Sequence, residues 1–193
     1  MKKLIAATMA AATVLIGSVA YAAEPVDTAA LQLTIPVTVD DITAVADELK
    51  DYDREINMLA QLIKSEAEGV KSTAQQAAVA WCVLNRFDAG SGKTIPAVIT
   101  ASGQFAYDKR EKILPKFKEL ARDVITRWLL EQRGVDVVGR VLPSDYLYFA
   151  NHGDGVNWFR SEYYSRRQYW DWSWPDPYDD KEKEVLEVEK EQS

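Results

Sequence analysis

Residues 64–86, Lys64-Ser-Glu-Ala-Glu-Gly-Val-Lys-Ser-Thr-Ala-Gln-Gln-Ala-Ala-Val-Ala-Trp-Cys-Val-Leu-Asn-Arg86, decide how the chain folds. One helical pattern runs out here and a second begins almost at once. Ahead of the junction, Ile56, Leu59, Leu62 and Ile63 recur at helical spacing and make one apolar stripe. Glu66 continues it, three residues beyond Ile63, four beyond Leu62 and seven beyond Leu59. Its carboxyl is therefore expected on the core-facing side, with Lys64 and Glu68 pointing elsewhere. Gly69 is the expected left-handed residue closing the helix, with Val70 making the apolar contact behind it. Ser72 is the expected N-cap of the next helix, with Gln75 at the reciprocal capping-box position.

Two influences favour the protonated form of a glutamate so placed: partial burial and the negative carbonyl end of a helix. A glutamate protonated near neutral pH can serve as a general acid. The plainer alternative is an ion pair with Arg or Lys across a helix interface.

Working outward, the helix expected from Ser72 to about Phe87 is rich in small residues (Ala74, Ala77, Ala78, Ala80) and is the expected central, most enclosed helix. Cys82 lies within it as a core thiol, not as a nucleophile for His152, because no cation or helix N-terminus accompanies it. Gly90-Ser-Gly92 reads as a loop, and Ile95-Pro96-Ala-Val-Ile99 as a short helix with proline in its first turn. Ser102-Gly-Gln-Phe-Ala-Tyr107 suits either a binding-site lip or a turn leading into a short strand. Pro115 to Arg133 is an amphipathic scaffold helix ended by Gly134.

Upstream, Leu31, Leu33, Ile35, Val37 and Val39 alternate with polar residues and Pro36, which predicts an edge strand or extended arm. Asp40-Asp41 then offers N-caps for a short helix to about Leu49. The chain begins Met-Lys-Lys, runs uncharged to Ala20, and reaches Ala20-Tyr21-Ala22, the pattern of a secretory signal peptide. The expected organisation is a signal peptide (1–22), an extended arm with a short helix (23–51), one domain (52–178) and an acidic tail (179–193). An exported protein in the cell envelope follows, with no stable membrane insertion after cleavage, since no other uncharged run could span a bilayer.

Net charge is −7, and the stretch from Asp179 to Ser193 holds seven acidic and three basic residues. No basic run tracks a phosphate backbone, which argues against nucleic acid as a partner. One cysteine and one histidine leave no disulfide framework and too few ligands for zinc chemistry, so no cofactor is expected.

Leu142 to Tyr178 differs in composition, holding ten of the fifteen Trp and Tyr residues. Tyr146 to Ala150 reads as a strand, Asn151-His-Gly-Asp-Gly155 as a tight turn, and Val156 to Arg160 as the returning strand. If Trp170-Asp-Trp-Ser-Trp174 is extended, its indoles share one face. Such a face stacks on sugar rings; the plainer alternative is that it covers the sheet as core.

Four pieces of this sequence resemble the SleB-type cell wall hydrolase family, whose members include spore cortex-lytic enzymes: Ser65-Glu-Ala-Glu-Gly69, the helix Gln76 to Arg86, Gly103-Gln-Phe105, and Tyr146-Leu-Tyr-Phe-Ala-Asn151. The resemblance covers about Ile56 to Arg160. It implies an α+β, mostly helical, lysozyme-like lytic transglycosylase-type domain with a small antiparallel sheet. It also implies action without a metal on peptidoglycan glycan strands, between N-acetylmuramic acid and N-acetylglucosamine. The family's catalytic glutamate maps onto Glu66. Gln104 and Asn151 match positions near its cleft, and Phe105, Tyr148 and Phe149 are expected beside them, with Trp170 and Trp172 as the further sugar-binding candidates. Val70 stands where the family motif has a second glutamate, and His152-Gly-Asp-Gly155 replaces a proline-containing turn. A one-glutamate route gives a 1,6-anhydro product, whereas hydrolysis calls for a second carboxylate, for which Asp108, Asp145 and Asp154 are the candidates. The alternative from another class is a secreted glycan-binding protein without turnover.

Overall fold

The structure is a computed structural model, and it describes residues 38–164 and 168–179. The candidate signal peptide, the alternating segment through Val37 and the tail beyond Asp179 lie outside the described residues.

Among the described residues five α-helices and one hairpin make up the regular structure: α1 (Val39–Glu48), α2 (Asp53–Ala67), α3 (Thr73–Asp88), α4 (Ile95–Ile99), α5 (Pro115–Gln132), β1 (Tyr148–Asn151) and β2 (Asn157–Arg160). A 3-10 turn over Leu49–Tyr52 joins α1 to α2. The described chain is thus α+β and mostly helical, with a two-stranded antiparallel sheet. None of its helices is long and apolar enough to cross a membrane.

The helices form where the apolar spacing places them. On α2, the stripe residues Ile56, Leu59, Leu62 and Ile63 are fully buried, each contributing roughly 1.5–3 kcal/mol. They pack against α5 and α3. Helix α3 is buried without interruption from Ala77 to Arg86, so it has no solvent face over that stretch and forms the centre of the domain. Phe117, Ala121, Val124 and Ile125 close the core from α5.

Local chemistry differs from the sequence reading at four places. Val39 opens α1 instead of ending a strand; the cap is Thr38, whose hydroxyl accepts from Asp41 N while the Asp41 carboxylate returns a bond to Thr38 N. Asp41 is therefore the reciprocal partner, not the cap. Gly69 is not left-handed; the α2 end is closed by a tight turn in which Val70 N donates to Ala67 O. Ser72 does cap α3, accepting from Gln75 N, but the Gln75 side chain is drawn away to accept from Asn157 N. The 170–174 segment is not extended, because Trp172 has φ +58°. Its indoles meet edge to face, at 6.5 Å for Trp170–Trp172 and 5.0 Å for Trp170–Trp174, and present no common stacking face.

The hairpin pairs Tyr148 with Arg160, Phe149 with Phe159, Ala150 with Trp158 and Asn151 with Asn157. Phe159 is buried while Trp158 points outward, the alternation a pleated strand imposes. Tyr169 bridges to Arg160, and Trp170 N donates to Phe159 O, so the aromatic segment lies along β2.

Candidate active site

Glu66 sits in the last turn of α2, half-buried, on the side its spacing assigns. Its Oε1 accepts the Ala106 N–H at 2.5 Å. Among the described residues none donates to Oε2. The loop that presents Ala106 is pinned to α2 by side chains. Tyr107 Oη donates to Gln61 Oε1, Gln61 Nε2 donates to the carbonyls of Lys109 and Glu111, and Lys64 pairs with the Glu111 carboxylate. Each neutral bond of this kind contributes about 0.5–1.5 kcal/mol net, enough together to hold one N–H against one carboxylate oxygen. Ser102 to Tyr107 is therefore a turn followed by irregular chain over Glu66, not the start of a strand.

Behind Glu66 the helix end is tied off by three amides. Gln76 Nε2 donates to the carbonyls of Ala67 (3.3 Å) and Val70 (2.7 Å). Asn157, only 1% exposed, donates its Nδ2 to the Glu66 carbonyl (3.3 Å) and its backbone N–H to Gln75 Oε1. Asn151 Nδ2 in turn donates to Asn157 Oδ1 (3.1 Å). The end of α2 and the turn end of the hairpin are thereby locked together.

The remaining expected residues fall into two groups. Phe105, Phe149, Phe159 and Trp172 form a continuous run of ring contacts, with centroids 6.0, 5.2 and 5.8 Å apart in that order. Tyr148 points to the other side of the hairpin, toward Tyr163 and the Arg86 guanidinium. Gln104 is exposed, with its Oε1 accepting from Arg86 Nη1. Asn151 is also exposed, and both ends of its amide are engaged, since Oδ1 accepts from Gly153 N. It is a clamp and turn residue first.

Two hollows are lined by neighbours of this corner, and Glu66 itself lines neither. One, of about 260 Å³, is lined by Ser72, Gln75, Val141, Trp170, Trp172 and Trp174 among others. The other, of about 290 Å³, is lined by Arg86, Ser91, Ser102, Gln104, Leu147 and Tyr148 among others.

Of the candidate second carboxylates, Asp108 is bound by Arg110, whose side-chain and backbone hydrogen bonds hold its carboxyl down at about 2. Asp154 belongs to the hairpin turn, accepting from Val156 N and Trp158 Nε1, and that indole bond holds its carboxyl below the usual range. Asp145 is exposed. Cys82 is fully buried, and burial, offset in part by the Arg86 charge and reinforced by Glu66, pushes its thiol up to about 12. His152 lies in the exposed turn. Among the described residues no three His, Cys, Asp or Glu side chains converge as a metal-binding group.

Arg86, Gln75, Gln76 and Asn157 were not legible as site residues. Arg86 had one signal, a charge two residues beyond the apolar run to Leu84; the three amides had none, because their partners are distant in sequence or lie across a turn. Compared with protein-family models, curated proteins and solved structures, the chain matches none. Fold and site together define a mostly helical α+β domain carrying a half-buried glutamate at a helix corner, beside aromatic side chains.

Proposed function

We propose that this protein cleaves the glycan strand of peptidoglycan between N-acetylmuramic acid and N-acetylglucosamine, as a secreted lytic transglycosylase with a lysozyme-like domain and Glu66 as its acid/base. The observation that carries the proposal is the placement of Glu66: one carboxylate oxygen fixed by Ala106 N–H, the other without a donor among described residues. One fixed oxygen and one available oxygen suit a group that must pass a proton along a defined direction.

In the proposed step, protonated Glu66 gives its proton to the glycosidic oxygen as the bond from muramic acid C1 to that oxygen breaks. The Glu66 carboxylate then takes the proton of the muramic acid C6 hydroxyl, whose oxygen bonds to C1. The products are a 1,6-anhydro end and a free N-acetylglucosamine hydroxyl, and Glu66 returns to its starting state. No second carboxylate takes part, in keeping with the commitment of Asp108 to Arg110 and of Asp154 to its turn.

The test is mass spectrometry of purified peptidoglycan digested with the mature protein and with Glu66→Gln. Fragments lighter by one water than hydrolysis products, absent with the variant, are expected. Ordinary reducing ends would refute transglycosylation, and no soluble fragments from spore-type or vegetative walls would refute the enzyme. The indole-lined hollow by Ser72 and Gln75 favours a second reading, a glycan-binding protein without turnover. In that case Glu66→Gln pellets with walls like the parent, and Trp170→Ala or Trp172→Ala does not.

A further inference from the structure

Arg86 is 7% exposed, yet it forms no ion pair with any described carboxylate. Arg127 and Arg140, also sunk into the molecule, hold Asp123 at 2.7 Å and Glu131 at 2.6 Å. A permanently charged guanidinium withdrawn from water without a counter-ion is unfavourable. Its compensation here is partial. Nε donates to Leu147 O at 2.5 Å and Nη1 to Gln104 Oε1 at 2.9 Å, and the rings of Phe105 and Tyr148 lie 4.6 and 5.4 Å from the guanidinium carbon.

A side-chain hydrogen bond also joins the guanidinium to the buried Cys82 thiol. Arg86 lines a hollow together with Ser91, Ser102 and Gln104.

We propose that this hollow is a carboxylate-binding site with Arg86 as its counter-charge, and that in the wall substrate the carboxylate belongs to the muramyl unit, on its lactyl group or its peptide stem. A two-oxygen, planar anion matches the donors a guanidinium presents. The site itself stands on Arg86; its assignment to the muramyl unit rests on the proposed role of Glu66. The two are joined by one stretch of chain. Gln104 bonds Arg86, Phe105 lies against it, and Ala106 holds Glu66. A glycan cut at Glu66 would thus carry its neighbouring acidic substituent toward Arg86.

The test is an NMR titration of the Arg86 Nε–Hε resonance in the full chain. The probes are acetate, N-acetylmuramic acid, N-acetylmuramyl-L-alanyl-D-isoglutamine and the uncharged N-acetylglucosamine. The three carboxylate probes are expected to shift the resonance saturably and N-acetylglucosamine is not; the tighter muramyl probe identifies the lactyl or stem source. Ser102→Asp places a resident carboxylate at the hollow and is expected to weaken N-acetylmuramic acid binding by at least about tenfold. It carries the test even if Arg86→Gln fails to fold. Equal binding of N-acetylglucosamine, or unchanged affinity in Ser102→Asp, overturns the proposal. Saturable carboxylate binding by a protein that releases no wall fragments upholds the site and refutes only the role of Glu66.

Discussion

Asn157 is the residue on which the Glu66 corner most directly depends. The Glu66 carbonyl lies in the final turn of α2, where helix carbonyls lack a partner one turn ahead; the Val70 N–H is spent on Ala67 O. Asn157 Nδ2 supplies the missing donor. Asn157→Ala leaves that carbonyl unpaired, at about 1–3 kcal/mol, and deletes the acceptor of Asn151 for up to about another 1 kcal/mol. The expected total is roughly 1–4 kcal/mol, and with about 2–4 °C per kcal/mol in a domain of this size the melting temperature should fall by roughly 2–16 °C. Asn151→Ala is the control. Asn151 is exposed, and of the two partners it frees, Asn157 Oδ1 and the Gly153 N–H, the second lies in the exposed turn, so the cost should stay below that of Asn157→Ala.

Asn157→Asp adds a sign that simple loss of packing cannot imitate. The new carboxylate is 1% exposed, if Asn157 is the guide, and it faces the Glu66 carbonyl, so its folded pKa is raised above the unfolded value of about 3.9. A raised folded pKa means that stability is fully present below the unfolded pKa and is lost as pH rises through the folded one. Each unit of elevation is worth about 1.4 kcal/mol, and the neutral acid can donate an O–H where the amide donated an N–H. Urea unfolding followed by tryptophan fluorescence should therefore show this variant closer to the parent near about pH 4 than near about pH 7. A deficit independent of pH, or an Asn157→Ala no costlier than Asn151→Ala, would refute the reasoning.

Gly69 and Gly134 should respond to alanine with opposite signs. Gly69 is not left-handed and a Cβ there meets open space, so Gly69→Ala should gain about 0.4–1 kcal/mol from the unfolded state. Gly134, at φ +86°, should lose about 1–2 kcal/mol; calorimetric melting that moves both the same way contradicts the backbone assignment. At alkaline pH, stability should fall between about 9 and about 12, where the unfolded Cys82 thiol ionises and the buried one stays protonated. The slope for one such group is at most about 1.4 kcal/mol per pH unit. Tyr178, pushed up by burial and by the Asp123 charge, acts in the same direction. Cys82→Ala should flatten that slope in urea titrations at stepped pH, and an unchanged slope would exclude the thiol.

The sequence by itself determined the elements whose signal is local. Apolar residues three and four apart set α2, α3 and α5 and placed Glu66 on the core side of α2, because helical periodicity depends only on spacing along one chain segment. The Ser72 cap, the proline opening α4 and the Asn151 to Gly155 turn were legible for the same reason. Tertiary structure decided everything that needed a partner from elsewhere. The Gln75 side chain left its capping box for Asn157, Trp172 turned left-handed as the indoles packed on one another instead of lying flat, and Asp154 became a turn residue instead of a free acid. Arg86, read in sequence as the end of an apolar helix, became a buried charge without a carboxylate because Leu147 and Gln104, 61 and 18 residues away, came to its donors. Hydrogen bonds and charges act over a few ångströms, and only the folded chain sets which groups come that close.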